Sequence, residues 1–116
     1  MRMKTYKDLR AWQIADDLAM RFHQWSDTHW SPPRAAVMDQ ARRAALSVPL
    51  NIAEGHAHGP GARCRYHLRI AHGSAVETAA LLDFLRRLGH DVTLLEELAR
   101  SSCALTFRLW QRSRRS

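Results

Sequence analysis

Arginine is the side chain with the most chemistry to offer in this sequence. Of the 18 Lys and Arg residues 16 are Arg, and against 11 Asp and Glu they leave a formal net charge of +7. A guanidinium forks onto phosphate oxygens and stacks on bases, so the excess points to polyanions such as RNA or DNA. An Arg-favouring codon bias, with charge kept for solubility, is the competing account. Arg65, Arg69 and His72 fall at i, i+4 and i+7, which puts them on one outward helical face, with Arg63 near the start of that helix. They suit a phosphate backbone, or form a solvated face salt-bridged to nearby carboxylates. Arg108, Arg112, Arg114 and Arg115 read as a flexible arm that adds phosphate contacts, or as a frayed tail. Asp39 lies one turn before Arg42 and Arg43, so a local ion pair takes one of them; Arg43 is the better structural candidate, leaving Arg42 for nucleic acid.

Histidine and cysteine offer less. His56 and His58 bracket Ala57, Cys64 precedes His67 by three positions, and His72 precedes Glu77 by five. A structural zinc takes four converging ligands and a catalytic zinc three, whereas Cys64 and His67 supply two at most. No metal and no cofactor is expected. The chain has no phosphate-cradling glycine loop, no Gly-x-Ser-x-Gly elbow and no His-Glu-x-x-His helix, and Gly59-Pro60-Gly61 is too short and stiff for a nucleotide site. Enzyme activity is therefore not expected. Trp12, Trp25 and Trp110 lie on apolar stripes and read as core, while Trp30 stands in a loop. Glu54, near the end of its helix, needs a cationic partner elsewhere in the fold or across an interface.

Helices must position these groups. Apolar rows through Ala11, Ile14, Leu18, Phe22 and Trp25, and through Trp12, Ala15 and Ala19, predict a first helix over about 6–26, opened by a capping box of Thr5 and Asp8. Ser31-Pro32-Pro33 starts a second over 32–55, with Met38, Ala41, Ala45, Val48 and Ile52 inward and Gly55 as terminator. Pro49 removes a hydrogen bond inside it, at about 3 kcal/mol, and predicts a kink. A third helix spans 60–88, from Pro60 to Gly89, on a stripe of Cys64, Leu68, Ala71, Ala75, Thr78, Leu82 and Leu85. Gly73 and Ser74 in its middle predict a close approach of another backbone. Asp91 caps a fourth over 91–112, built on Leu95, Leu98, Ser102, Leu105 and Leu109. No strand pattern appears. The reading is all-α, an antiparallel up-and-down four-helix bundle, as one domain over 1–116.

The setting follows from the same composition. Cys64 and Cys103 read as buried thiols of a reducing cytoplasm. Met1 to Lys7 has no apolar leader pattern, and no window nears the roughly 20 apolar residues of a membrane span, so a soluble cytoplasmic protein without a membrane partner is expected. Leu46, Leu50 and Ala53 make the second helix apolar on more sides than one bundle face requires.

The segment RRAALSVPLNIAEG, Arg42 to Gly55, resembles the signature of the four-helix-bundle proteins encoded in intervening sequences of bacterial 23S ribosomal RNA genes. The accessory proteins of diversity-generating retroelements look like members of the same family. YKDLRAWQIADDLA, from Tyr6, is similar to the family's opening helix, and YHLRIAHGSAVETAALL, from Tyr66, to its third. Leu50 and His56 depart from the family pattern, and the loop to Gly61 lacks its usual lysines. The resemblance implies a closed ring, typically of five bundles, with a basic surface expected to bind RNA or DNA. Burial of Leu46, Leu50 and Trp30 between copies would answer the apolar excess of the second helix. The alternative is a structural or adaptor ring that binds a protein partner such as a reverse transcriptase.

Overall fold

The computed structural model describes residues 5–115 and contains four α-helices, with no strand among those residues. The helices are α1 (Arg10–His29), α2 (Ala35–His58), α3 (Ala62–Arg87) and α4 (Thr93–Ser113). The capping box forms: the Thr5 hydroxyl accepts from the Lys7 amide at 3.1 Å and the Asp8 carboxylate accepts from the Thr5 amide at 3.2 Å. It caps a single 3-10 turn, Tyr6–Asp8, after which Leu9 is extended and α1 begins afresh at Arg10.

Other boundaries differ from the sequence pattern too, among them the start of α4, which falls at Thr93 with Val92 as its N-cap. The polar run from Ser26 extends α1 instead of ending it. Ser26 and Thr28 return their hydroxyl protons to carbonyls of the same helix, those of His23 and Trp25, both at 3.0 Å. Ser31 makes no side-chain cap; Pro32–Arg34 is a 3-10 turn that leads into α2 at Ala35. Gly55 does not terminate α2, which runs on to His58 and stops at Gly59, where φ is 71°. The helix also passes unbroken through Pro49.

Gly55 takes the packing role expected of Gly73. Gly55 is buried against α3, and a Cβ there would meet the Cys64 carbonyl oxygen and the His67 Cβ, each at 3.3 Å. Gly73 faces outward, with nothing within 4 Å of a Cβ built on it. The close approach of backbones is real, but Gly55 supplies it.

The core falls into two clusters. One joins Leu18, Phe22, Met38, Ala41, Leu82, Leu85, Val92, Leu95 and Ala99. The other joins Ala11, Ala15, Val48, Ile52, Leu68, Ala71 and Ala75, with Trp12, Cys64, Cys103, Leu109 and Trp110 packed against it. The second cluster therefore brings the start of α1, the end of α2, the start of α3 and the end of α4 to one end. The stripe predicted for α2 is wholly buried, and that for α3 is buried apart from half-buried Cys64. Burial raises the pKa of both thiols, Cys64 and Cys103.

A seam of polar groups runs between α2 and α3. The Gln40 amide donates to Glu77 at 2.5 Å, and the Ser47 and Ser74 hydroxyls share a proton contact at 2.8 Å. Asn51 donates to the Ser47 carbonyl at 2.8 Å, while its own amide oxygen stands 3.0 Å from His67 Nδ1. That nitrogen also lies 2.9 Å from Glu54, giving the carboxylate its partner within the fold. No helix among the described residues is long and apolar enough to cross a membrane.

Candidate nucleic-acid interface

The arginines divide into two populations by position. Where the first core cluster lies, carboxylates answer Arg21, Arg42, Arg86 and Arg87, while Arg34 bonds His90 and neither Arg43 nor Arg100 makes an ion pair with a described residue. Arg21 pairs with Asp17 at 2.9 Å, Arg86 reaches Asp83 and Glu96, and Arg87 holds Asp83 at 3.0 Å. The two bonds from Glu96 and Asp83 raise the pKa of Arg86 further.

Arg42 belongs to this paired population, which corrects its assignment as the freer of two neighbours. Its Nε donates to the buried Ser26 hydroxyl at 2.7 Å, one terminal nitrogen bonds Asp27 at 2.9 Å, and the other lies 3.7 Å from Asp39. With 26% of its side chain exposed, it ties α2 to α1. Arg43 is exposed and bonds only the Gln40 amide oxygen, at 2.8 Å. The tie needed a partner from another helix, Ser26 or Asp27, which spacing within α2 does not reveal.

The opposite end is different. Lys7, Arg10, Arg63, Arg65, Arg69, Arg108, Arg112, Arg114 and Arg115 surround the second core cluster, and the acids there are Asp8 and Glu54. Asp8 serves the capping box and Glu54 serves His67. None of these cations makes an ion pair with a described residue. Of the predicted set, Arg63, Arg65, Arg69, Arg112, Arg114 and Arg115 thus come together, and only Arg42 lies apart.

The last arginines are held by helix geometry and are no loose arm. The Arg114 amide bonds the Trp110 carbonyl at 3.3 Å, the Arg115 amide bonds that of Arg112 at 3.1 Å, and the Arg114 guanidinium sits 5.6 Å from the Trp110 ring centroid. Arg112 borders two grooves, one shared with the α2–α3 loop and one with Arg108 and Arg115.

His72 turns toward α4 instead of outward. Its Nδ1 stands 3.2 Å from the Thr106 hydroxyl, whose proton goes to the Ser102 carbonyl at 2.7 Å, so the imidazole donates from Nδ1. Its ring stacks on Trp110 at 6.1 Å. Tyr66 was missed: it lies exposed between Arg65 and Arg69, and an aromatic flanked by arginines was a visible signal. Among the described residues, no group of three or more His, Cys, Asp or Glu is placed to hold a metal ion.

The residues predicted to meet a second copy are open in the single chain. Leu50 is 59% exposed, and Leu46 and Trp30 are each 44% exposed. Ala57 is exposed on the same side of α2 as the two leucines.

Helices and charge together define a small all-α protein with four helices and an arginine-rich end. The family model of the 23S rRNA-intervening sequence protein matches residues 7–103, and the chain belongs to that family. No curated protein and no solved structure matches the chain.

Proposed function

We propose that this chain is a non-enzymatic, cytoplasmic, homo-oligomeric protein that binds RNA or DNA with little sequence specificity. The binding surface is the basic end of an antiparallel up-and-down bundle. The observation that carries the reading is the gathering at one end of arginines that make no ion pair with a described residue, while Arg21, Arg42, Arg86 and Arg87 elsewhere are held by carboxylates. Crowding like charges opposes folding, and Arg63 and Arg65 stand at the start of α3, where the helix dipole disfavours cations and no acid occupies the first turn. Stability does not select that arrangement; a polyanionic partner does. The make-up of the two core clusters supports the antiparallel course, since each joins the ends that alternate along the chain.

The open apolar row of α2 supports self-association, and Leu46, Leu50 and Trp30 are the residues we assign to it. A ring of five follows the family resemblance and would pool the basic ends of its copies.

Binding to structured RNA and to duplex DNA, measured between about 50 and 200 mM salt, tests the first claim. Affinity should fall steeply with salt, and replacing Arg63, Arg69 or Arg112 by Gln should lower the slope on duplex DNA by about 0.9 each. Absent or salt-independent binding overturns it. Light scattering tests the second: a multiple of 13.3 kDa is expected, reduced by Leu50→Glu, and a wild-type monomer at micromolar concentration overturns it.

A further inference from the structure

Between the start of α3 and the end of α4 lies an open groove of about 290 Å³, lined by Ala62, Arg65, Tyr66, Arg69, Trp110 and Arg114. Three guanidiniums border it and no carboxylate does. That volume is at the lower edge of the range for small-ligand pockets, roughly 300 Å³, and suits one nucleotide unit better than a larger ligand.

The two aromatic rings differ in what they have left to offer. Trp110 is already occupied: His72 stacks on it at 19° between planes, Phe107 meets it edge-on at 6.2 Å, and Arg114 lies over it. It forms the floor and holds Arg114 in place. Tyr66 is 54% exposed, and its ring meets that of His67 edge to face at 5.3 Å. Its face is available.

We infer that this groove is a subsite for a nucleotide of an unpaired strand, with the phosphate on Arg65, Arg69 and Arg114 and the base stacked on Tyr66. The inference rests on the nucleic-acid reading above and narrows it. A base inside a duplex has both faces covered by its neighbours, so an exposed aromatic among phosphate-binding arginines gains nothing from paired DNA. An unpaired base has a free face, and stacking on it accepts any sequence.

Fluorescence anisotropy tests this with a labelled oligothymidylate of about ten nucleotides and a duplex of the same length, at matched salt. The single strand should bind at least about fivefold tighter. Tyr66→Ala should weaken the single strand by about tenfold, leave the duplex unchanged and leave the salt slope intact; Tyr66→Phe should bind like wild type. Arg69→Gln should lower the single-strand slope by about 0.7. Equal binding of both probes, with Tyr66→Ala without effect, overturns the unpaired-strand subsite and leaves the broader reading standing. Binding of neither probe overturns both. Loss of binding that accompanies a fall in the light-scattering mass of Tyr66→Ala also overturns the stacking role, because Tyr66 would then serve assembly.

Discussion

The two ends of the bundle fill the same space with different materials. At one, Phe22, Leu18, Met38, Leu82 and Leu85 make a core of large side chains, and Arg21, Arg42, Arg86 and Arg87 around it are held by Asp17, Asp27, Asp83 and Glu96. At the other, Ala11, Ala15, Ala71 and Ala75 let the helices meet through small side chains, and the arginines outside make no ion pair with a described residue. The chain has 11 Asp and Glu and places only Asp8 and Glu54 among the unpaired arginines. Acids were available and are elsewhere. The contrast teaches that acids cluster on the arginines of the first end, while the second leaves its charge without an ion pair among the described residues, the feature on which the proposed function rests.

Core truncation should break the comparison most visibly. Phe22 is fully buried, and Phe22→Ala should cost about 3–5 kcal/mol, whereas Ile52→Val in the alanine-rich half should cost about 0.5–1.5 kcal/mol. Urea denaturation reads both, and equal midpoints would remove the distinction between a bulky and a sparse core.

Arginine replacements sharpen it. Arg42→Ala leaves the Ser26 hydroxyl with only its bond to the His23 carbonyl and opens the tie between α1 and α2, a loss of about 1–2 kcal/mol after allowance for partial exposure. Arg69→Ala removes a side chain without an ion pair and should stay within about 0.5 kcal/mol of wild type. If Arg69→Ala destabilises as much as Arg42→Ala, the second end is not free of structural duty.

The glycines give a smaller test with opposite signs. Gly73→Ala should stabilise by about 0.5–1 kcal/mol, because alanine is the better helix former and the space is open. Gly55→Ala should lose a comparable amount, because its Cβ presses on the Cys64 carbonyl of the facing helix. A loss at Gly73 in thermal melts would place another copy's backbone over that position.

The smallest effect concerns the turn before α4, whose N-cap is Val92 and not, as the sequence pattern suggested, Asp91. Asp91 accepts from the Thr93 hydroxyl at 2.8 Å and amide at 3.2 Å, and these bonds lower its carboxyl pKa from the ordinary 3.8. The folded state binds that proton less readily than the unfolded chain, so the contribution is present above about pH 4 and fades as the pH falls through the folded value. Asp91→Ala should therefore be less stable than wild type at neutral pH, and the gap should close in acid. A gap independent of pH would assign the effect to the turn backbone instead.

Much of the architecture was legible because buried faces repeat. The 3-4 spacing of Met38, Ala41, Ala45, Val48 and Ile52 identifies the inward side of α2, and every one of those residues is buried. Helix ends were less legible. Gly55 carries the residue type of a terminator, but its role is set by Cys64 and His67 on another helix. The site divides the same way. Spacing brought Arg65 and Arg69 together, whereas the choice between Arg42 and Arg43 depended on Asp27 and Ser26, remote in sequence. His72 looked outward by period alone, and only Thr106 shows that it is turned inward.

The polar seam between α2 and α3 has a consequence for how the two rods mesh. Alanine-lined helices slide easily, since a shift of one turn, about 5.4 Å, replaces one small side chain by another. The rungs at Gln40–Glu77, Ser47–Ser74 and Asn51–His67 act as ratchet teeth against such a slip, each losing its mate at once. The α3 wall of the groove beside Tyr66 is thereby held in register with α2, while its other wall, Trp110 and Arg114 of α4, lies outside that lock.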